Sequence, residues 1–189
     1  MRILLLIAVL LAGCGRIVKK EAEAEFRSAL GRTGITVYPA VVRELGPAVK
    51  TSWDNESAAE IAEWLNGNGF GAARVSEQNP DIAVKPGMNQ AKMFRTGLRS
   101  FGDWLRTHPP ETEYACVAEY LMMRNGKAGG IHVYCADRAG TPVFGSLSNS
   151  HWPEFKEVNP ASVRDAARVA VGSLSRHLDE KKPSHWWSR

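Results

Sequence analysis

The stretch YACVAEYLMMRNGKAGGIHVYCAD, residues 114–137, decides the fold. Tyr114 to Met123 and Gly130 to Asp137 are runs of apolar, β-branched and aromatic residues, and Asn125-Gly126 between them is a tight-turn signal. A two-residue turn there fixes a register in which the numbers of facing residues add to 251. Cys116 then faces Cys135, and Glu119 faces His132. Directly opposed residues have Cα atoms about 4.5 to 5.5 Å apart, close enough for a disulfide. Counting back from a two-residue turn makes the cysteines a hydrogen-bonded pair, the less accommodating kind for an S–S link. A bulge at Gly129-Gly130 would relieve this.

The same register sorts the faces. Tyr114, Cys116, Ala118, Tyr120 and Met122 fall with Ile131, Val133 and Cys135 on the expected core face. Val117, Glu119, Leu121, His132 and Tyr134 fall on the other. Glu119 and His132 are expected there as a cross-strand polar pair contributing a few tenths of a kcal/mol. The alternative is a catalytic carboxylate–imidazole pair, although no third group completes a triad in the sequence.

Working outward, Asp137-Arg138-Ala139-Gly140 turns into a third strand, Pro142 to Ser148. Upstream, Ile35 to Val42 is a strand that Pro39 makes short or places at an edge. Gly46-Pro47 to Trp53 reads as a loop. Asp54-Asn55 offer N-caps, and Ser57 with Glu60 fits a capping box. Ala58, Ile61, Ala62 and Leu65 mark one face of the helix that follows, which ends at Asn66-Gly67-Asn68-Gly69. Phe70 to Val75 is a short strand, and Asn79 to Gly87 a loop. Ala91, Phe94, Leu98, Phe101 and Leu105 define a second amphipathic helix, stopped by His108-Pro109-Pro110. Asn159-Pro160 is expected to start a final helix with Val163, Ala167, Ala170, Val171, Leu174 and Leu178 inward. Ile17 to Leu30 reads as a short charged helix or as a tether with nascent helicity. The expected fold is α+β: a mixed β-sheet, β-α-β-α-β-β-β-α, with helices packed on it in a single domain over residues 35–180.

The chain's start gives it an address. Arg2 precedes an apolar run, Ile3 to Ala12, too short for a finished membrane span but fitting the h-region of a signal peptide. Its end, Leu11-Ala12-Gly13-Cys14, resembles the bacterial lipobox. Residues 1–13 are therefore expected to be a lipoprotein signal peptide, with Cys14 acylated and 14–34 a lipid-anchored tether or short helix. Several acyl chains, each CH₂ contributing about 0.8 kcal/mol, hold such a protein on a bilayer. Gly15 rather than Asp after the cysteine implies, by the enterobacterial sorting rule, the outer membrane, with the domain facing the periplasm. Cys116 and Cys135 are then an even pair in an oxidising compartment, as a disulfide needs.

Composition narrows the classes further. With 189 residues, 44% hydrophobic and 23% charged, the chain is an ordinary globular protein, neither disordered nor polytopic. Twenty-four basic against 20 acidic residues give +4, too mild to imply a nucleic-acid partner. No C-x-x-C motif occurs, and the histidines at 108, 132, 151, 177 and 185 lack zinc spacing, so neither metal nor cofactor is expected. Gly67 to Gly71 follows a helix and precedes a strand, the reverse of a phosphate loop. Ser146, Ser148 and Ser150 lie near His151 without a nucleophile elbow and read as a strand's solvent face. Lys92, Arg95, Arg99 and Arg106 line the polar side of the second amphipathic helix. They are either a solvated face or a candidate contact for an anionic partner. Trp152 to Phe155 and Trp186-Trp187 stand outside the core periodicity. Such residues mark partner or membrane-interface contacts, and the second pair equally fits a flexible tail over 181–189.

Taken together, Leu11 to Cys14, the strand Ile35 to Val42, the helix Ser57 to Leu65 with Asn68-Gly69-Phe70, Tyr114 to Tyr120, the turn Cys135 to Gly140 and the helix Val163 to Leu178 carry a family likeness. They resemble the periplasmic lipoprotein α/β module shared by the activator of penicillin-binding proteins, the curli secretion lipoprotein and the N-terminal domain of the Tol-Pal propeller protein. The cysteine pair and the long Asn79 to Pro110 segment depart from that pattern. The resemblance implies a noncatalytic adaptor or assembly factor that binds an envelope protein. The competing classes are a periplasmic hydrolase or thiol-redox enzyme, which needs polar groups converging in a pocket, and a small-ligand or lipid carrier, which needs an apolar cavity.

Overall fold

The computed structural model describes residues 18–83 and 88–178. The signal segment, Cys14 and the Trp186-Trp187 tail lie outside them. The described chain runs α1 (Lys20–Ala29), β1 (Gly34–Val37), β2 (Ala40–Leu45), β3 (Lys50–Asp54), α2 (Asn55–Gly67), β4 (Ala72–Val75), α3 (Gln90–Thr107), β5 (Tyr114–Met123), β6 (Ala128–Asp137), β7 (Pro142–Ser148), α4 (Pro153–Val158) and α5 (Val163–Leu178). The strands form one seven-stranded mixed sheet with helices packed on it, a single α+β domain.

The first half of the sheet departs from the sequence expectation in number. The single strand expected over 35–42 is broken at Tyr38-Pro39 into β1 and β2, because proline cannot donate to a ladder. Both pieces run parallel to β5, β1 along Tyr114 to Cys116 and β2 along Glu119 to Met123. The break inserts one residue, so Ile35, Val37, Ala40 and Val42 all face the same core. The stretch expected as a loop before Trp53 is in fact β3, antiparallel to β2. Apart from Trp53 its residues are polar, and they are largely exposed, the composition of an edge strand. The other edge strand of this half, β4, pairs with β1, and the Asn66 side-chain amide both donates to and accepts from the Ala73 backbone on its outer side.

In the second half, facing residues of β5 and β6 add to 251 from Tyr114/Asp137 to Leu121/Gly130. The turn itself has three residues, not two. Met123 N–H donates to the Lys127 carbonyl, and Gly126 adopts φ 79°. Met122 faces Ala128, and Gly129 is skipped as a bulge, which restores the expected register. At the far end Arg138 N–H donates to the Glu113 carbonyl. Ladder bonds alternate along an antiparallel pair, so Cys116 and Cys135 form a non-hydrogen-bonded pair, and their Cα atoms are 4.2 Å apart. The bulge moves the cysteines into the close-approach position.

Both faces of the sheet are covered. One packs on α1, α2, α4 and α5, with Phe26, Ile61, Leu65, Phe144, Leu174 and the cystine in its core. The other packs on α3 through Leu98, Phe101 and Leu105. Expecting a single core face was therefore wrong: β5 and β6 are central strands, and near-continuous apolar runs are the mark of burial on both sides. The folded body also begins before residue 35, because Phe26 of α1 is 1% exposed against Tyr114 and Phe144.

Three helix starts are set by caps. Asp54, one of the two expected N-caps, caps α2 by accepting from Ser57 N–H. Asn89 caps α3 by accepting from Lys92 N–H. Ser162 and Asp165 cap α5 reciprocally. Asn159, expected to start the last helix, instead ends α4 in the left-handed region, φ 46°. That short helix carries Phe155 into the core, so the Trp152 to Phe155 cluster is in part structural.

Candidate functional site

The register brings Glu119 and His132 together as expected, but in a setting the sequence did not disclose. Both are 0% exposed, between the sheet and α3. Arg43, the next inward-facing residue of β2 after Val41, reaches across and donates from Nε to Glu119 Oε1 at 2.5 Å. The rest of its guanidinium is held by Thr51 Oγ1 at 3.0 Å and by the Ile82 carbonyl. Tyr134, two residues along β6 from His132, donates its hydroxyl to Glu119 Oε2 at 2.5 Å. His132 Nδ1 lies 2.9 Å from the same oxygen and 2.8 Å from the Tyr134 hydroxyl. Phe94 of α3 packs edge-on against the imidazole, centroids 5.5 Å apart.

Burial on its own would raise the Glu119 pKa. The hydrogen bond and charge of His132, with the Arg43 guanidinium, outweigh it and hold the carboxyl below its ordinary range. Glu119 is thus a carboxylate that only accepts, which puts the proton on His132 Nδ1. Burial first, then the Glu119 charge, pushes the Tyr134 phenol well up, so its hydroxyl stays a donor. The quartet is a closed set of one carboxylate, one guanidinium and two oriented donors. Breaking such a buried pair by removing one partner costs about 3 to 5 kcal/mol, far more than the surface-pair value expected from the sequence. His132 Nε2 is buried without a hydrogen-bond partner among the described residues.

This arrangement orients an imidazole as catalytic dyads do, yet seals it beneath Phe94 with no exposed atom to meet a substrate. The cystine is equally enclosed, Cys116 at 3% and Cys135 at 0% exposure. Of the three serines read as a solvent face, Ser150 is exposed but Ser146 and Ser148 are buried. Ser146 accepts from Ser173 at 3.0 Å, and Ser148 donates to Glu154, which is ion-paired with Arg176. Among the described residues no group of three or more His, Cys, Asp or Glu side chains could hold a metal ion.

Two surface features remain. The first is the outer face of α3, where Lys92, Arg95, Arg99 and Arg106 are all exposed. Arg106 pairs with Asp103, while Lys92, Arg95 and Arg99, at helical spacing, have no ion pair among the described residues. The second is an open cleft of about 570 Å³ at the C-terminal ends of β2 and β5, lined by Val42, Leu45, Met122 and Met123 with Lys50 and Arg124. It ends at Ser162 and Val163, where α5 starts, and Met123 is 47% exposed in it.

No helix among the described residues is long and apolar enough to cross a membrane. No protein-family model matches the chain, and no curated protein matches it.

Proposed function

We propose that the chain is a noncatalytic envelope lipoprotein, anchored through Cys14 at the outer membrane, that docks an acidic protein partner as an adaptor or assembly factor. The observation that carries this reading is the exposed row of Lys92, Arg95 and Arg99 on α3, cations with no counter-charge among the described residues. An oppositely charged surface would gain there in encounter rate and in register. Two further features support the reading. The oriented polar groups are enclosed, as structural networks are. The buried cystine suits an oxidising compartment such as the periplasm.

The test is affinity capture from cross-linked envelopes with the Arg95→Glu/Arg99→Glu protein as bait. Capture of the partner should fall, while the melting temperature stays nearly unchanged, because exposed charges contribute little to stability. Unchanged capture overturns the assignment of this face. Anchoring is tested by intact mass and detergent partitioning of the Cys14→Ser protein, which should lose both the lipid mass and detergent retention.

A further inference from the structure

We propose that the cleft at the C-terminal ends of β2 and β5 binds a small monoanionic amphiphile, an aliphatic carboxylate whose chain lies over Met123 and whose head meets Lys50 and Arg124. The site is separate from the basic row of α3, no residue of which lines the cleft. Topology makes the cleft. β2 and β5 lie side by side and run parallel. At their C-terminal ends the chain leaves β2 through Gly46-Pro47-Ala48 to β3 on one side, and leaves β5 through Arg124 to Lys127 to β6 on the other. Connections that part in this way leave a crevice beyond the strand ends, where open sheets hold their ligands. The helix layer does not fill it, because α5 begins only at Val163, on the cleft's edge. About 570 Å³ stays open, within the roughly 300 to 1,000 Å³ of small-molecule sites.

The register sets what faces that volume. Lys50 of β3, Glu44 of β2 and Met122 of β5 stand side by side as one row across three strands. Val42 and Met122 form a buried floor, and Leu45 and Met123, the latter 47% exposed, supply the apolar surface left for a ligand to cover. Thioether side chains are flexible and polarisable, and they adapt to an aliphatic chain. Two cations accompany that surface. Lys50 makes no ion pair with Glu44, its cross-strand neighbour, or with any other described residue. Arg124 lies over the β2–β3 turn, where a Cβ at Gly46 would stand 3.4 Å from its Nε. It too has no acidic partner among the described residues. Set against Glu44, the two cations leave the cleft one net positive charge, which matches a head of single negative charge. Arginine receives a carboxylate through two parallel N–H bonds, and Lys50 adds a second point charge. The start of α5 adds no anion site, because Asp165 and Ser162 already accept from the Ala161 and Asp165 N–H groups.

The test is calorimetric titration of the full chain carrying Cys14→Ser, which has no attached acyl chain to compete, with laurate below its micellar concentration. Laurate should bind saturably at one site. Butyrate, which has the head without the chain, should bind at least about tenfold more weakly. Lys50→Gln/Arg124→Gln and Met123→Gln should each weaken laurate at least about tenfold. These three positions are exposed, so thermal unfolding without laurate should be unchanged, which shows that the fold is intact. Arg95→Glu/Arg99→Glu should bind laurate as the unaltered chain does, so failure at the cleft and failure of the α3 reading are separate results. Any uptake of laurate outside the cleft is common to all these proteins. No saturable laurate binding, which would leave the cleft to a protein segment, overturns the proposal. Equal affinity in the cleft variants, or tighter binding of lauroyl lysophosphatidylglycerol than of laurate, does so as well.

Discussion

Gly129 offsets Gly126: the loop closed by Met123 and Lys127 is one residue longer than a two-residue turn, and the bulge at Gly129 takes that residue back out of the ladder. Cys116 and Cys135 therefore meet at the close-approach kind of position, in the core. The link closes 19 residue steps, for which the chain-entropy relation gives about 3 kcal/mol. Cys116→Ala/Cys135→Ala should lower the unfolding free energy by about that amount in urea. Thiol reagent added to the unfolded, unreduced protein should find neither residue free.

Glu119→Gln should be costly because it leaves the Arg43 guanidinium, held under α3, without its charge partner. The expected loss is about 3 to 5 kcal/mol by urea denaturation. Arg43→Met/Glu119→Leu should lose less than the sum of the two single changes. At a temperature where Glu119→Gln remains folded, partner capture should be that of the unaltered protein. Complete loss of function in that folded protein would instead argue for chemistry at Glu119.

Acid should destabilise the domain in two stages. His177 is pushed below its ordinary value of 6.5, mainly by burial. The unfolded imidazole then takes up a proton that the folded one refuses, so stability falls as the pH drops below about 6.5. Glu119, held below its ordinary 4.5, contributes stability above that value, which is lost as the pH falls through its lower folded value. Urea midpoints should hold nearly level from pH 8 to about 6.5 and decline from there toward pH 3. His177→Gln should flatten the upper part of that decline and leave the lower part in place.

Gly97 sets how closely α3 approaches the quartet. A Cβ there would collide with the Tyr134 hydroxyl, the donor to Glu119. Gly97→Ala should cost about 1 to 3 kcal/mol as overpacking. In a Tyr134→Phe background, which itself loses the hydrogen bond to Glu119, Gly97→Ala should cost less, because the colliding oxygen is gone. Thermal unfolding of these variants checks this.

What was legible in the sequence follows the range of the interactions. The β5–β6–β7 meander is written in local turn chemistry at Asn125-Gly126 and at Asp137 to Gly140, and the β5–β6 register and its cystine were readable there. The faces were not, because period-two alternation separates two sides without saying which is covered, and α3 arrives from outside the meander to cover the second. Lys50-Thr51-Ser52 gave no strand signal because an edge strand needs no apolar side chains. Arg43 could not be joined to Glu119 because the two meet only through the parallel pairing of β2 with β5, far apart in the chain. The α3 basic row was visible from helical spacing alone.

The sheet is assembled from two pieces whose strands pair nearly within sequence reach. These are β2–β3 with β1–β4 in the first half, and the meander in the second. One parallel seam, β5 against β1 and β2, joins them, and its partners stand almost eighty residues apart. Closing so large a loop is the entropically slow event in folding, whereas hairpins form in about 1 to 10 μs. Cys116 and Cys135 both belong to the meander, so oxidation needs only the faster piece. The geometry of the cross-link therefore does not depend on docking of the two halves, and substitutions along the seam, at Val41 for example, should slow docking while leaving the two cysteines able to pair.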